Sequence, residues 1–264
     1  MQYNQTVLTG QRILNTRPEH QQDYLKSLLE AHGAEVVGFP AIEIIDAETT
    51  DFHRSLIENI AHYHIALFIS SNAVGGAFLY LEGDRLPADL QLGVIGEGTL
   101  RTLAEYVDNL DGRLIQAQPY NSEGLLAAPE LQQVAGKNII IFRGQQGRNL
   151  LGDELQSRGA TVSYCEVYLR VLPDYEADYF AKRTSKQFPT LAIFTSDEGM
   201  HNVLSLTSGS SRRKLLEIPW LLISERMRES AVNLGHNGVI LIAAQATEEG
   251  ILQTINQWAG KQAV

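Results

Sequence analysis

The chain has 264 residues, 44% of them apolar, a length that suits two domains of about 130 residues better than one small domain. Its 21 basic and 31 acidic side chains leave a formal charge of −10, which argues against a nucleic-acid groove or an anionic membrane surface, because both want clustered Lys and Arg. The single cysteine, Cys165, excludes an internal disulfide framework and a Cys-rich zinc site.

In chain order, Met1-Gln2-Tyr3-Asn4-Gln5 has neither the basic nor the apolar region of a secretion signal, so a cytoplasmic protein is expected. Ile13-Leu14-Asn15-Thr16-Arg17 predicts a strand, and Pro18 suits the first position of the helix after it. Tyr24, Leu25, Leu28 and Leu29 form that helix's apolar stripe, and Gly33 stops it. Residues 36–45 are extended, too long for one strand of a compact sheet, and without a helical period; they predict a crossing between domains. Strands are predicted near 65–69, 92–95 and 114–117, then at 139–142, followed by a helix with Leu150, Leu151 and Leu155 that stops at Gly159. Residues 162–172 predict a second crossing, and bursts at 191–194, 220–223 and 239–242 complete the strands. None approaches the ~18 apolar residues of a membrane helix.

The chain repeats itself. Ile13–Arg17 returns as Ile139–Arg143, His32–Val36 as Arg158–Val162, Ile65–Ser70 as Leu191–Ser196, and Glu123-Gly124-Leu125 as Glu249-Gly250-Ile251, all at an offset of 126 residues. One constant offset across four segments predicts a duplicated unit, each copy reading as a parallel sheet covered by helices. Residues 36–45 and 162–172 are equivalent at the same offset.

In open parallel sheets ligands collect at the carboxyl ends of the strands, where helix N-termini offer unpaired N–H groups to anions. Those ends carry Arg17, Ser70, Ser71, Asn72, Thr99, Ser122, Arg143, Thr195, Ser196 and Ser224, any of which is either a ligand contact or simply a helix cap. No G-x-x-x-x-G-K-[ST] loop exists, and neither Gly96-Glu97-Gly98 nor Gly144-Gln145-Gln146-Gly147 completes G-x-G-x-x-G, which argues against a nucleotide cofactor. His62 and His64 could share a strand face but have no third ligand nearby. Cys165 reads as a packed small hydrophobe, and Glu225, Arg226, Arg228 and Glu229 as a solvated helix face. Tyr168, on the second crossing, fits core packing and a functional phenol equally.

Taken together, these residues resemble the uroporphyrinogen-III synthase family. The resemblance rests on Thr16-Arg17-Pro18, Phe68-Ile69-Ser70-Ser71-Asn72-Ala73-Val74, Val94-Ile95-Gly96 with Thr99, Ser122-Glu123-Gly124-Leu125-Leu126, Arg143-Gly144 with Gly147-Arg148 and Leu151, Gly159-Ala160 leading to Val167-Tyr168-Leu169-Arg170, and Phe194-Thr195-Ser196. It covers nearly the whole chain. The chain departs from the family at Ser224-Glu225-Arg226-Met227, where relatives often carry a Gly-Pro-Thr-Thr-like loop.

The resemblance implies an α/β enzyme of two similar flavodoxin-like parallel-sheet domains, 1–38 plus 171–264 and 39–170, joined by the two extended crossings. Sequence alone also allows an unswapped arrangement, in which 12–16 would lie beside 65–69. It implies a cytoplasmic monomer without metal or cofactor that closes hydroxymethylbilane to uroporphyrinogen III in a cleft between its domains. Tyr168 would be the general acid. Arg17, Ser70, Ser71, Asn72, Thr99, Ser122, Arg143, Arg148, Thr195, Ser196 and Ser224 would hold the substrate. A non-catalytic two-lobed binder of an anionic small molecule is the rival reading.

Overall fold

The computed structural model describes residues 7–48, 50–81, 86–145, 147 and 149–262. The chain divides into two compact units, one running up to Glu43 and again from Val171, the other Ile44–Arg170.

The chain opens with β1 (Arg12–Asn15), α1 (Asp23–Ala31) and β2 (Glu35–Gly38), then enters the second unit through β3 (Glu43–Asp46). There it forms α2 (Asp51–Glu58), β4 (Ile65–Phe68), α3 (Ser71–Phe78), β5 (Gln91–Val94), α4 (Glu97–Ala104), β6 (Leu114–Gln116), α5 (Ser122–Leu126), β7 (Asn138–Gly144), α6 (Leu150–Ser157) and β8 (Thr161–Val171). It returns through α7 (Tyr179–Arg183) to β9 (Leu191–Phe194), α8 (Asp197–Ser205), α9 (Gly209–Glu217), β10 (Trp220–Leu222), α10 (Glu225–Asn233), β11 (Ile240–Ile242) and α11 (Glu248–Gln262).

The first unit's sheet runs β11-β10-β9-β1-β2, with β1 hydrogen-bonded in parallel to β9 through Ile13, Leu14 and Asn15, so the arrangement with 12–16 beside 65–69 does not occur. The second runs β3-β8-β7-β4-β5-β6. Matched at the 126-residue offset, β1 and β2 correspond to β7 and β8, β9 to β4, and β11 to β6. Both sheets then share the doubly wound order 2-1-3-4-5, the first two strands coming from the other half of the chain, and the second sheet adds β3 at the edge beside β8.

Strand alternation supplies both faces with apolar side chains. In the second unit Ala66, Phe68, Leu92, Val94, Ile140 and Phe142 pack with Ala73, Val74, Ala77 and Leu103 of α3 and α4. Ile65, Leu67, Ile139 and Ile141 face the other way, against Leu125, Leu151 and Leu155 of α5 and α6. In the first unit Leu14, Phe194, Trp220 and Leu222 meet α8 and α10, while Ile13, Leu191, Ile193 and Leu221 meet α1 and α11. Each Val, Leu, Ile or Phe among them contributes roughly 1.5–3 kcal/mol when fully buried. Gly33 and Gly159 end α1 and α6 at φ +94° and +86°, a conformation other residues adopt only with strain.

Three expectations need correction. Residues 162–172 are not too long for one strand, because β8 has eleven residues, pairs with β7 from Thr161 to Tyr168 and has β3 on its other edge. A register shift at Arg143/Gly144 absorbs the mismatch, and the return crossing begins only after Val171. The apolar stripe of α1 is Leu25, Leu28 and Leu29, with Tyr24 turned outward to donate to Glu249 at 2.7 Å; Leu150 of α6 is likewise exposed. His62 ends a short 3-10 turn and His64 precedes β4, so the two share no strand face. His64 Nδ1 instead accepts the Asn138 amide at 3.0 Å.

Candidate active site

The carboxyl end of the second unit's sheet is built around α3. Ser70 leaves β4 in extended backbone, φ −163° and ψ 163°, and caps the helix by accepting the Ala73 amide on Oγ at 3.1 Å. The same Oγ lies 3.2 Å from the hydroxyl of Tyr168, 98 residues later. Tyr168 belongs to β8 and not to a crossing, and only 5% of it is exposed. Its ring is part of the apolar core against α3 and α4, while its hydroxyl reaches the helix cap, so packing and a polar role coexist in one side chain.

Glycine makes room for that ring. Gly144 stands opposite Tyr168 in the β7–β8 ladder, and a Cβ there would come within 2.6 Å of the ring carbons Cε2 and Cζ and 3.0 Å of Oη. Ser71 opens α3 with its hydroxyl turned toward Gly98 at the start of α4. Asn72 is half-buried beside it. The first turn of α3 thus directs its amides and positive dipole end beyond the strand edge. Thr99 is buried, and its Oγ1 donates to the Ile95 carbonyl at 2.7 Å, so that proton is committed to local structure.

Two further sequence candidates, Ser122 and Arg143, are placed by their local partners. The cap of α5 is not Ser122 but Asn121, whose extended backbone suits the role and whose Oδ1 accepts the Gly124 amide at 2.7 Å; Ser122 is already helical. Arg143, buried to 8% exposure, has all three guanidinium nitrogens engaged: Nε and Nη2 by Glu166 Oε1 at 3.2 and 2.8 Å, and Nη1 by the Gly147 carbonyl and Asn149 Oδ1 at 3.2 and 2.9 Å. Its carbon Cζ also sits 3.8 Å above the Tyr164 ring, and burial raises the Tyr164 phenol above its ordinary range although Arg143 opposes this. Arg148 lies outside the described residues.

In the first unit, Arg17 donates from Nη1 to Glu248 Oε1 at 2.6 Å, linking the end of β1 to the start of α11. Thr195 follows β9 and is half-buried, and Ser196 caps α8 by accepting the Gly199 amide at 3.0 Å, as Ser70 caps α3. Ser224 precedes α10 in the same extended conformation but makes no side-chain cap bond. Arg226 is exposed and reaches Asp197 at 3.3 Å.

Sequence reasoning passed over Glu166, Asn149 and Asn121. The Arg143–Glu166 pairing follows from the parallel register of β7 and β8, which spacing alone does not reveal. Cys165 is buried, and desolvation with Glu166 beside it pushes its thiol up to about 12, which leaves it an inert packing group. Among the described residues no three His, Cys, Asp or Glu side chains gather as metal ligands, and no helix is long and apolar enough to cross a membrane.

The family model for uroporphyrinogen-III synthase HemD matches residues 23–253. A uroporphyrinogen-III synthase of Salmonella typhimurium strain LT2 is 33% identical over 246 residues, 92% of this chain and 99% of the relative. One from Escherichia coli K12 is 31% identical over 251 residues, with 92% and 99% covered. The crystal structure of a mutant uroporphyrinogen III synthase from the extremely thermophilic bacterium Thermus thermophilus superposes at a TM-score of 0.60 with 16% identity, covering 96% of this chain and 100% of that one, which shows a shared fold. The match spans both units and nearly the full length of two relatives above 30% identity, and on that ground this chain belongs to the uroporphyrinogen-III synthase family.

Proposed function

We propose that this protein converts hydroxymethylbilane to uroporphyrinogen III, by loss of water, inversion of the last pyrrole ring through a spiro intermediate, and ring closure. The family match over residues 23–253 carries this reading. The pyrrole nitrogen already activates the hydroxymethyl group, so the barrier to ionisation is modest and the harder task is regiochemical. A difference of about 2.7 kcal/mol between competing transition states suffices for 100-fold preference for the inverted ring.

Tyr168 acts as the general acid. As the hydroxymethyl C–O bond breaks, its electron pair stays on oxygen, which takes the phenolic proton and leaves as water; the pyrrole nitrogen stabilises the cation that remains. The support is local: a phenol held at one strand end by Gly144 and Ser70, with α3 beginning beside it.

In the second unit the substrate's carboxylates are taken by amides beside Ser70 at the starts of α3 and α4, with Ser71 and Asn72; in the first unit they are taken by amides at the starts of α8 and α10, with Thr195, Ser196, Ser224 and Arg17. Helix N-termini hold anions without many basic side chains, which fits a chain of net charge −10. Arg143, engaged by Glu166 and Asn149, braces β7 against β8. A lone buried cysteine fits the reducing cytoplasm, where we place the reaction. The test is the isomer formed from hydroxymethylbilane: type III supports the reading, and type I at the spontaneous rate indicates a protein that binds without catalysing.

A further inference from the structure

We propose that Ser70 is a positioning residue for the Tyr168 proton: its hydroxyl donates to Tyr168 Oη, turning the phenolic O–H outward and then holding the phenolate left behind. The inference rests on the reading of Tyr168 as the acid.

A serine hydroxyl has one proton and two acceptor sites. Ser70 Oγ already accepts the Ala73 amide at 3.1 Å, at the positive end of α3, and accepting that bond strengthens its own O–H as a donor. The Tyr168 hydroxyl, 3.2 Å away, is what that donor reaches, and among the described residues Ser70 is its hydrogen-bond partner. Once Tyr168 has given its proton to the departing hydroxyl, a phenolate oxygen can only accept. The Ser70 bond therefore strengthens as water leaves, which is the kind of interaction that accelerates a chemical step.

The ring cannot retreat to escape the contact. The face of Gly144 against which it lies and the core behind it hold the phenol at the cap. Capping alone does not require this pairing. Ser196 caps α8 in the same way, yet the position 126 residues before Tyr168 is Ile42, so the hydroxyl pair belongs to the second unit alone.

Single-turnover rate, KM and product isomer of the full chain test the proposal with Ser70→Ala, Ser70→Gly, Ser70→Thr, Tyr168→Phe and the Ser70→Ala/Tyr168→Phe double variant. Ser70→Ala should slow turnover roughly tenfold, the scale of one hydrogen bond to a charged oxygen, with KM little changed. Ser70→Gly, which keeps most of the cap's stability, should slow it equally, and Ser70→Thr should restore most of the rate. In the Tyr168→Phe background Ser70→Ala should change the rate less than twofold. Equal losses in both backgrounds, or a parent rate in Ser70→Gly, would overturn the positioning role while leaving Tyr168 as the acid. A parent rate in Tyr168→Phe with type III product would instead remove the acid assignment, and the inference with it.

Discussion

Gly144→Ala puts a methyl group where the Tyr168 ring now lies, and the structure sets the size of the effect. The added Cβ would stand 2.6 Å from Cε2 and Cζ, against the roughly 3.5–4.0 Å of an unstrained carbon contact, so ring and strand must separate by about 1 Å. The Gly144 backbone is not left-handed, so alanine itself is not strained there. Forcing a methylene-sized group into a packed core costs about 1–3 kcal/mol. A 1 Å displacement also stretches the 3.2 Å Ser70–Tyr168 contact beyond hydrogen-bonding reach, adding the ~1 kcal/mol of a neutral hydrogen bond. The expected destabilisation is therefore about 2–4 kcal/mol, measured by urea unfolding, together with slower turnover and no change in the isomer formed. The same substitution in a Tyr168→Ala background meets no ring and should cost less than ~0.5 kcal/mol, the scale of additivity between independent sites. A parent-like unfolding midpoint for Gly144→Ala, or an equal cost in both backgrounds, would refute the account of how the phenol is held.

Three further outcomes follow from the same geometry. Tyr168→Phe removes one hydroxyl from a nearly unchanged shape, so it should destabilise by about 1 kcal/mol while turnover falls toward the lower end of the 10²–10⁴ range of general acid catalysis; unchanged turnover would exclude the role. Ser196→Ala should cost about 0.5–2 kcal/mol in thermal unfolding because it removes a cap bond, whereas Ser224→Ala should stay within ~0.5 kcal/mol because no such bond exists there; the reverse ranking would contradict the cap assignment. His236, stacked on Trp220 at 4.2 Å, is lowered by burial from 6.5 to about 4. The unfolded imidazole takes its proton first as pH falls, so the stability His236 contributes is complete above pH 6.5 and is lost between pH 6.5 and 4, by up to roughly 3 kcal/mol; His236→Phe should flatten that part of the stability profile.

The repeat made much of the fold legible. The offset that relates Ile13–Arg17 to Ile139–Arg143 also relates β1 to β7, and Gly33 and Gly159 stop equivalent helices in equivalent left-handed turns. The strand ends were legible for the same reason, since an apolar burst followed by Ser or Thr is both a strand terminus and a helix cap at Ser70 and Ser196. What stayed hidden depends on contacts between distant segments. Residues 162–172 read as a crossing because their pattern does not reveal that β3 and β7 flank the strand on both edges. Glu166 faces Arg143 only through the β7–β8 register, and at the 126-residue offset its counterpart is Pro40, so the repeat gave no hint of it. The cap of α5 was missed by one residue because Asn121 and Ser122 both have capping chemistry and only the backbone angles separate them.

The central claim is that this fold directs ring closure toward one isomer, and the ratio of type III to type I uroporphyrinogen tests it most directly. Hydroxymethylbilane added to the purified chain, with no metal or cofactor supplied, should be consumed faster than it cyclises alone and should yield the type III isomer as the dominant product. Type I product at the uncatalysed rate, from protein that is folded and binds the bilane, would contradict the account.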